Sequence, residues 1–335
     1  MESLFFISIN NYRTTAGKTV SLKLSYQTFG PALGNAPVVL VNHALTGNSS
    51  VTGESGWWNT LIGKGKCIDT NFYTVLAFDV PGNGYDGNSD NLIDDYKQFK
   101  ARDIAAIFAL GIDQLQITEL YAAIGGSVGG GLVWELAALR PKLIRKVVPI
   151  ACDWKSTDWL IGNCLIQDNI LNNSSNGLAD ARMHAMTLYR TPESFKHKFN
   201  RTLKQPGLYN VESWLDHHAK VINDRFQIAA YKMMNQILKT IDITEGGDNF
   251  LRVAEQIESE IHIISIDSDL LFKAAENRRT YTELNKIRGD VTFNEIKSIH
   301  GHDAFLIEYK QLQKIFEPIF RIHDLGLLDQ KLKAS

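Results

Sequence analysis

The sequence predicts an α/β fold in which a mostly parallel central sheet is flanked by helices and carries an inserted helical lid. Segments of strand character alternate with amphipathic helical segments along the chain, which is the pattern of a doubly wound sheet. The alternation stops between residues 154 and 250, where the sequence has helix-like stretches and no convincing buried strand. A length of 335 residues with 44% hydrophobic residues suffices for one large core domain with such an insertion.

The predicted strands are of two kinds. Residues 5–10 and 20–29 alternate in the way that strands do and predict an antiparallel opening hairpin. Six later segments have the character of strands in the interior of a sheet that is covered on both faces. They are residues 37–41, 73–78, 120–124, 146–150, 261–266 and 291–296.

Three helices are predicted outside the insertion. Residues 102–115 carry apolar side chains at close to a 3.6-residue period, namely Ile104, Ile107, Phe108 and Ile112. Residues 130–139 predict a second helix, and residues 305–320 predict one that closes the chain. The domain prediction that follows is a core of residues 1–153 and 251–335, with a lid of residues 154–250 over the carboxyl edge of the sheet.

The composition argues against several classes of protein. With 35 Lys and Arg against 37 Asp and Glu, the net charge of −2 gives no global reason to bind nucleic acid or an anionic membrane. The N-terminus lacks the pattern of a signal peptide, no segment approaches the roughly 20 apolar residues of a membrane span, and the three cysteines form no CxxC. We therefore expect a cytoplasmic enzyme with reduced thiols. No metal is predicted, because His217 and His218 are adjacent and point about 100° apart on a helix.

The strongest local signal is the pentapeptide Gly125-Gly126-Ser127-Val128-Gly129, which follows a predicted strand and precedes a predicted helix. In that context G-x-S-x-G is typical of a nucleophile elbow, a strained turn whose serine hydroxyl projects above the sheet. A glycine-rich phosphate loop does not fit, since no register gives G-x-G-x-x-G and no lysine follows. A purely structural glycine turn remains the alternative for this short pattern.

A nucleophilic serine needs a base and an orienting acid, which follow in the order Ser, Asp, His in this type of site. Asp267 and Asp269 follow the fifth buried strand, and His300 and His302 follow the sixth, so all lie at the sheet edge where Ser127 is expected. The residues alone leave both choices open. The oxyanion of a reaction intermediate would meet the amide of Val128 and a second amide from the loop after residues 38–41, at Leu45 or Thr46.

Taken together, these segments make the chain resemble the homoserine O-acetyltransferase family, acyltransferases built on the α/β-hydrolase fold. The resemblance spans nearly the whole chain. Its segments are HALTG at 43–47, GWW at 56–58 with Gly65 and IDT at 68–70, GGSVGG at 125–130 with Val in place of Met, AR at 181–182 with LYR at 188–190, SDLLF at 268–272 and GHDAFL at 301–306.

The resemblance favours Asp269 as the acid and His302 as the base of the triad. It further implies that Arg182 pairs with the homoserine carboxylate through its guanidinium fork. Asp303 would take the α-ammonium group, and Thr46 and Tyr189 would line the same pocket. The implied reaction is a ping-pong transfer from acetyl-CoA through acetyl-Ser127 to L-homoserine, giving a methionine precursor. Acetyl-CoA is then a co-substrate, no cofactor is needed, and a homodimer formed through the lid helices is expected.

Residues 79–88 depart from the family pattern, which has a glycine-rich segment after the strand that corresponds to 73–78. This difference leaves the triad unchanged and affects the acyl-donor pocket and the acceptor. A related transferase that uses L-serine as acceptor or succinyl-CoA as donor is the first alternative. Serine is one methylene shorter than homoserine, and a pocket distinguishes the two by only about 1–3 kcal/mol. A plain esterase on the same triad is the second, and a catalytically silent binding protein of the same fold is the third.

Overall fold

The computed structural model describes residues 3–247 and 249–320 of the chain. Twelve strands are found in these residues, and eight of them form the main sheet. The strands are β1 (Phe5–Arg13), β2 (Thr19–Phe29), β3 (Val38–Asn42), β4 (Ile62–Gly63), β5 (Ile68–Asp69), β6 (Thr74–Phe78), β7 (Leu120–Gly126), β8 (Ile144–Ile150), β9 (Leu203–Gln205), β10 (Leu208–Tyr209), β11 (Glu260–Ile266) and β12 (Val291–Ile296).

The main sheet has the strand order β1-β2-β6-β3-β7-β8-β11-β12. β1 pairs antiparallel with β2 and β2 pairs antiparallel with β6, whereas all later neighbours pair in parallel. The predicted hairpin and five of the six predicted interior strands are therefore confirmed. The sixth, β12, is a strand as predicted, but it lies at the edge of the sheet and is only partly buried. β4 pairs with β5 and β9 with β10 in two small separate sheets that the sequence did not predict.

Ten α-helices lie in the described residues. They are α1 (Ala101–Gln114), α2 (Val128–Leu139), α3 (Asp158–Asn173), α4 (Gly177–Tyr189), α5 (Pro192–Phe199), α6 (Asn210–Arg225), α7 (Ile228–Lys239), α8 (Phe250–Ala254), α9 (Ala274–Leu284) and α10 (Tyr309–Phe316). Short 3₁₀ helices cover Ser89–Asn91, Tyr96–Gln98 and Gly301–Leu306. α3 to α7 and the small exposed β9–β10 pair all fall between β8 and β11, where the lid was predicted. The assignment of residues 154–250 to a lid, separate from the core, stays a prediction, and residues 321–335 of the predicted core lie outside the described residues.

The single closing helix predicted for residues 305–320 is wrong. The chain instead forms the 3₁₀ helix Gly301–Leu306 and then α10. The break lies at Ile307, whose backbone (φ −126°, ψ −46°) leaves the helical region between the two elements. Each of the two elements buries an aromatic side chain, Phe305 in the 3₁₀ helix and Phe316 in α10.

The sheet is covered on both faces, as the interior strands require. Along β3, Val38 and Leu40 pack into one hydrophobic cluster, and Val39 and Val41 pack into the other. This alternation follows from the period of two along a strand. The covered sheet holds the carboxyl ends of β3, β7, β11 and β12 at one edge, where the loops that contain the predicted site residues begin. Within residues 3–247 and 249–320, the chain forms no helix that is long and apolar enough to cross a bilayer.

Candidate active site

Ser127 occupies a sharp turn between β7 and α2. Its backbone angles (φ 59°, ψ −130°) lie outside the regions that non-glycine residues normally adopt. Its amide donates to the Ile150 carbonyl at 2.9 Å, which anchors the turn to the end of β8. Backbone strain of this kind persists only where the surroundings enforce it, and it is concentrated at functional sites. The structure thus supplies the strand-turn-helix geometry that the G-x-S-x-G pattern predicted.

The glycines on either side of Ser127 permit close backbone contact. A Cβ atom on Gly125 would lie 2.4 Å from the Gly129 carbonyl carbon, and one on Gly129 would lie 2.4 Å from the Asn42 oxygen. Both distances are too short for any side chain. The glycines therefore let α2 approach β7 and β3 directly, so that the beginning of α2 lies beside the serine hydroxyl.

Three side chains that follow three different strands of the sheet form a continuous hydrogen-bond chain. His302 Nε2 lies 2.8 Å from Ser127 Oγ, and His302 Nδ1 lies 2.7 Å from Asp269 Oδ2. The other carboxylate oxygen of Asp269 accepts from the amides of Leu271 at 2.7 Å and Phe272 at 3.0 Å. All three members of the chain are buried. The geometry is that of a nucleophile, a base and an orienting acid.

The structure brings Asp269 and His302 to the serine and leaves Asp267 and His300 elsewhere. Asp267 Oδ1 accepts from the Ser298 amide at 3.0 Å, and its other oxygen lies 3.7 Å from Lys297 Nζ. His300 Nδ1 lies 3.0 Å from Ser194 Oγ at the start of α5. Neither residue contacts the hydrogen-bond chain of Ser127.

The environment of His302 favours its protonated form. Burial alone would lower the pKa of His302, but the charge of Asp269, its hydrogen bond and the charge of Asp303 together raise that pKa above its ordinary value. A raised pKa strengthens the imidazole as a base toward the Ser127 proton. The aromatic rings of Tyr189, Phe272 and Phe305 surround the imidazole at centroid distances of 5.8, 5.9 and 5.7 Å.

The residues predicted to supply the oxyanion amides lie near the serine in sequence or in space. Val128 is the first residue of α2, so its amide has no partner within the helix. Leu45 and Thr46 lie in the loop after β3 and line the same cavity as Ser127. Asn42 Nδ2 donates to the Gly129 carbonyl at 3.3 Å and ties this loop to α2.

A buried polar network that the sequence did not reveal supports the loop after β3. His43 Nδ1 lies 2.8 Å from the Ala44 carbonyl, and the Val80 amide donates to His43 Nε2 at 3.0 Å. Burial lowers the pKa of His43, which keeps the ring neutral and able to accept that bond. Beneath it, Asp79 accepts from the Ser49 amide at 2.8 Å. Residues 79–88, which depart from the family pattern, thus begin directly under the loop that carries Leu45 and Thr46.

The four predicted substrate-binding residues line one cavity with Ser127 and His302. The cavity has a volume of about 70 Å³, and its lining includes Thr46, Arg182, Tyr189 and Asp303. Arg182 and Tyr189 come from α4, with the guanidinium 5.8 Å from the Tyr189 ring centroid. Burial raises the pKa of the Tyr189 phenol, so it stays protonated and can act as a donor. A cation and an anion therefore face the cavity that holds the nucleophile.

Asp303 has a partner that the sequence did not indicate. Arg190 Nε donates to Asp303 Oδ2 at 2.7 Å, and both side chains are largely shielded from solvent. Since the bond engages one carboxylate oxygen, Oδ1 of Asp303 is left for another donor. The dipeptide Tyr189-Arg190 belongs to a matched family segment, which is the one signal that could have drawn attention to the arginine.

No group of three or more His, Cys, Asp or Glu side chains in the described part of the chain could hold a metal ion. His217 and His218 lie on α6, with ring centroids 5.7 Å apart. The three cysteines of the chain, Cys67, Cys152 and Cys164, are all free thiols.

The chain is similar in sequence to a known protein family and to enzymes of known activity. A family model described as the alpha/beta hydrolase fold matches residues 37–288. The homoserine O-acetyltransferase of Moorella thermoacetica is 30% identical over 340 residues, which cover 90% of this chain and 91% of that protein.

Two solved structures share the architecture over nearly their full length. The homoserine O-acetyltransferase of Bacillus anthracis superposes with a TM-score of 0.86 at 20% identity, covering 95% of this chain and 97% of that one. Esterase E22 superposes with a TM-score of 0.85 at 18% identity, covering 96% of this chain and 100% of that one. Because both identities are low, these two likenesses show the fold, which transfer and hydrolysis enzymes share.

Proposed function

Since this chain belongs to the α/β-hydrolase fold family and, within it, to the homoserine O-acetyltransferase family, we propose that it transfers an acetyl group from acetyl-CoA to the hydroxyl of L-homoserine. One observation supports the proposal above all others. The cavity that exposes Ser127 and His302 also contains Arg182 and Asp303, one cation and one anion. An amino acid has one group of each charge to match them, and a simple ester has neither.

The first half-reaction forms an acyl-enzyme. His302 Nε2, 2.8 Å from Ser127 Oγ, takes the hydroxyl proton while the oxygen attacks the thioester carbonyl carbon of acetyl-CoA. The Val128 amide and that of Leu45 or Thr46 bind the oxyanion of the tetrahedral intermediate. When the intermediate collapses, the carbon–sulfur bond breaks and the proton on His302 passes to the CoA thiolate. Asp269 holds the imidazole in the required tautomer throughout.

The second half-reaction repeats the proton transfers with a new nucleophile. His302 removes the proton from the γ-hydroxyl of homoserine, whose oxygen attacks the carbonyl carbon of acetyl-Ser127. The bond from that carbon to Ser127 Oγ breaks, the serine recovers its proton from His302, and O-acetylhomoserine leaves. Arg182 and Asp303 hold the amino acid with its hydroxyl beside acetyl-Ser127, which gives the hydroxyl a high effective concentration there. Transfer to the hydroxyl is therefore favoured over hydrolysis of acetyl-Ser127 by water.

The acceptor is held at both charged ends in this proposal. Arg182 pairs with the α-carboxylate, with Thr46 and Tyr189 beside it, and the free oxygen of Asp303 accepts from the α-ammonium group. Because these contacts fix the α-carbon, the length of the side chain decides whether its hydroxyl reaches Ser127. Homoserine and serine differ there by one methylene, which a pocket distinguishes by about 1–3 kcal/mol.

The test is a matrix of donors and acceptors with the purified protein. Acetyl-CoA and succinyl-CoA are each combined with L-homoserine, L-serine or water, and free CoA and the acylated product are both measured. We expect acetyl-CoA with homoserine to give the highest kcat/KM, with CoA release matched by O-acetylhomoserine. CoA release without an acylated amino acid would instead make the protein a hydrolase. A higher kcat/KM with serine or with succinyl-CoA would change the acceptor or the donor.

We further propose that the enzyme is a cytoplasmic homodimer. The family resemblance supports a dimer formed through the lid helices, and free thiols are usual for proteins of a reducing compartment. Leu203 of the small β9–β10 pair is 53% exposed, which offers an apolar contact for a second copy. Light scattering of the purified protein should give twice the mass of one chain, and a monomeric mass would refute the dimer.

A further inference from the structure

One face of α6 carries an aromatic ring and two basic side chains. Trp214, His218 and Arg225 follow one another at spacings of four and seven residues, so they lie on the same side of the helix. At the end of that row, Arg225 Nη2 lies 3.5 Å from Thr46 Oγ1. Thr46 lines the same cavity as Ser127. The row therefore leads from the mouth of the cavity outward along the predicted lid.

Three basic side chains beside this row have no acidic partner among the residues that the structure describes. In the described residues no carboxylate lies within 4 Å of Arg182, Lys198 or Arg225. Neighbouring cations of the same region are paired, since Arg190 bonds Asp303 at 2.7 Å and Lys220 bonds Asp216 at 2.7 Å. Lys198 Nζ instead lies 5.0 Å from the Trp214 ring centroid, and the His218 ring lies 4.4 Å from the same indole.

These groups repel one another in the free protein. Burial and then the charge of Arg182 lower the pKa of Arg225. Burial lowers the pKa of His218 to about 4, and the charges of Arg182, His217, Lys198 and Arg190 act in the same direction, so the ring is neutral near pH 7 and can offer one N–H to an anion. Like charges held near one another are unfavourable unless a ligand of opposite charge offsets them, and such arrangements are concentrated at binding sites.

The anion must carry more charge than the acceptor offers. One carboxylate is matched by Arg182 inside the cavity, which leaves Lys198, His218 and Arg225 without a ligand. The donor of the proposed reaction carries a diphosphate and a further phosphate at the far end of its thiol arm, outside any cavity that holds the thioester. A neutral ester, the substrate of an esterase, would have no use for these groups.

We propose that the cations Lys198 and Arg225, together with the neutral ring of His218, bind the phosphate groups of the acyl-CoA donor; the three residues are here called the lid phosphate cluster. This inference rests on the proposed function, because it takes acetyl-CoA as the donor. Arg225 is placed nearest the cavity through Thr46, and Lys198 and His218 lie farther along α5 and α6 around Trp214. Binding of the phosphates there positions the thioester by holding the other end of the same molecule.

The experiment compares two donors that share the acetyl thioester and differ in their phosphates. Acetyl-CoA and S-acetylpantetheine are assayed with wild type, Lys198→Gln, Arg225→Gln and the double variant, with homoserine saturating. We expect KM for acetyl-CoA to rise about 5- to 20-fold in each single variant, as for the loss of a charge-assisted bond. KM for S-acetylpantetheine should change less than about twofold. Lys220→Gln, which removes an exposed lid cation paired with Asp216, is the matched control and should leave both values unchanged.

A second measurement does not depend on turnover. Calorimetry with free CoA and free pantetheine should show tighter binding of CoA to wild type, with the difference shrinking at high salt and in the double variant. That result supports the cluster even if the acceptor proves to be another alcohol, so a failure of the proposed acceptor would be distinguishable. An equal rise of KM for both donors, a rise confined to homoserine, or equal binding of CoA and pantetheine to wild type would each overturn the proposal.

Discussion

Arg190 Nε donates to Asp303 Oδ2 at 2.7 Å, so the carboxylate proposed to bind the acceptor ammonium is oriented by a neighbour of Tyr189. Arg190 itself does not line the cavity, and it acts through Asp303. Replacement by Lys keeps the charge but loses the directed Nε bond. We expect Arg190→Lys to raise KM for homoserine about tenfold and to leave the rate of Ser127 acetylation within about twofold. Rapid-quench acylation and steady-state transfer measure the two quantities, and a matched loss in both would assign Arg190 a role in folding.

Ser127 and His302 should act as one unit. We expect Ser127→Ala and His302→Ala each to reduce kcat on the order of 10⁴- to 10⁶-fold, and the double variant to be little worse than either. Ser127→Ala removes only a hydroxyl, so its thermal unfolding should stay close to wild type. His302→Ala removes a buried ring and leaves Asp269 without its partner, so its Tm should fall, and its fold is checked separately by circular dichroism. Mass spectrometry after incubation with acetyl-CoA alone should find one acetyl group on Ser127 in the wild type. A label on another residue, or additive losses in the double variant, would contradict the ping-pong scheme.

The two aspartates after β11 provide a matched pair. Asp269→Asn should lower kcat roughly 10⁴-fold, because an amide at this position can present a donor to His302 and stabilise the wrong tautomer. Asp267→Asn should cost less than about twofold, since Asp267 bonds the Ser298 amide and Lys297 and makes no contact with the imidazole. Steady-state kinetics of the two variants decide between them, and the opposite order would move the acid to Asp267.

Arg182→Lys separates the acceptor from the donor. The variant keeps a positive charge in the cavity but loses the bidentate fork, so transfer to homoserine should fall about tenfold or more. Formation of acetyl-Ser127 should be nearly unchanged, because the proposed acetyl-CoA complex does not use that carboxylate clamp. Loss of both steps would assign Arg182 to the donor or the fold. Loss of neither would remove it from the substrate site.

The pH dependence of the first half-reaction should report His302. Only the neutral imidazole accepts the Ser127 proton, so kcat/KM for acetyl-CoA should fall as the pH drops through the pKa of His302. Because Asp269 and Asp303 raise that pKa, the midpoint of the acid limb should lie above about 6.5, the ordinary value for histidine. Asp303→Asn removes one of the two charges and should shift the midpoint to lower pH. A midpoint below 6.5 in the wild type would show that burial outweighs the carboxylates.

The parts of the site that the sequence predicted are those defined by local pattern. The Ser127 elbow is determined by glycines within four residues, and the interior strands by runs of apolar residues. The choice between Asp267 and Asp269 was not available from the residues alone, because both follow the same strand and differ by two positions. The three-dimensional structure distinguishes the two aspartates, because Asp269 accepts hydrogen bonds from two amides of its own turn and bonds His302.

The residues that were missed share long-range partners. Arg190 meets Asp303, Arg225 meets Thr46, and His43 meets Val80, each pair far apart in the sequence. Periodicity carries no information about such contacts. The error at residues 305–320 has the same origin. The break at Ile307 follows the turn that delivers His302 to Ser127, and hydrophobic spacing does not record that requirement.

The residues that line the active-site cavity come from different segments of the sequence, and this has an evolutionary consequence. Ser127, Asp269 and His302 follow sheet strands, whereas Arg182 and Tyr189 both lie on α4, in the segment between β8 and β11. The bond-making residues and the α4 part of the proposed acceptor site are thus encoded in separate stretches of the gene, whereas Asp303, proposed to bind the ammonium group, directly follows His302. Replacement of α4 would change the carboxylate end of the proposed acceptor site while the nucleophile keeps its setting. A combinatorial library confined to residues 177–189 is accordingly the shortest route from this scaffold to new acceptors.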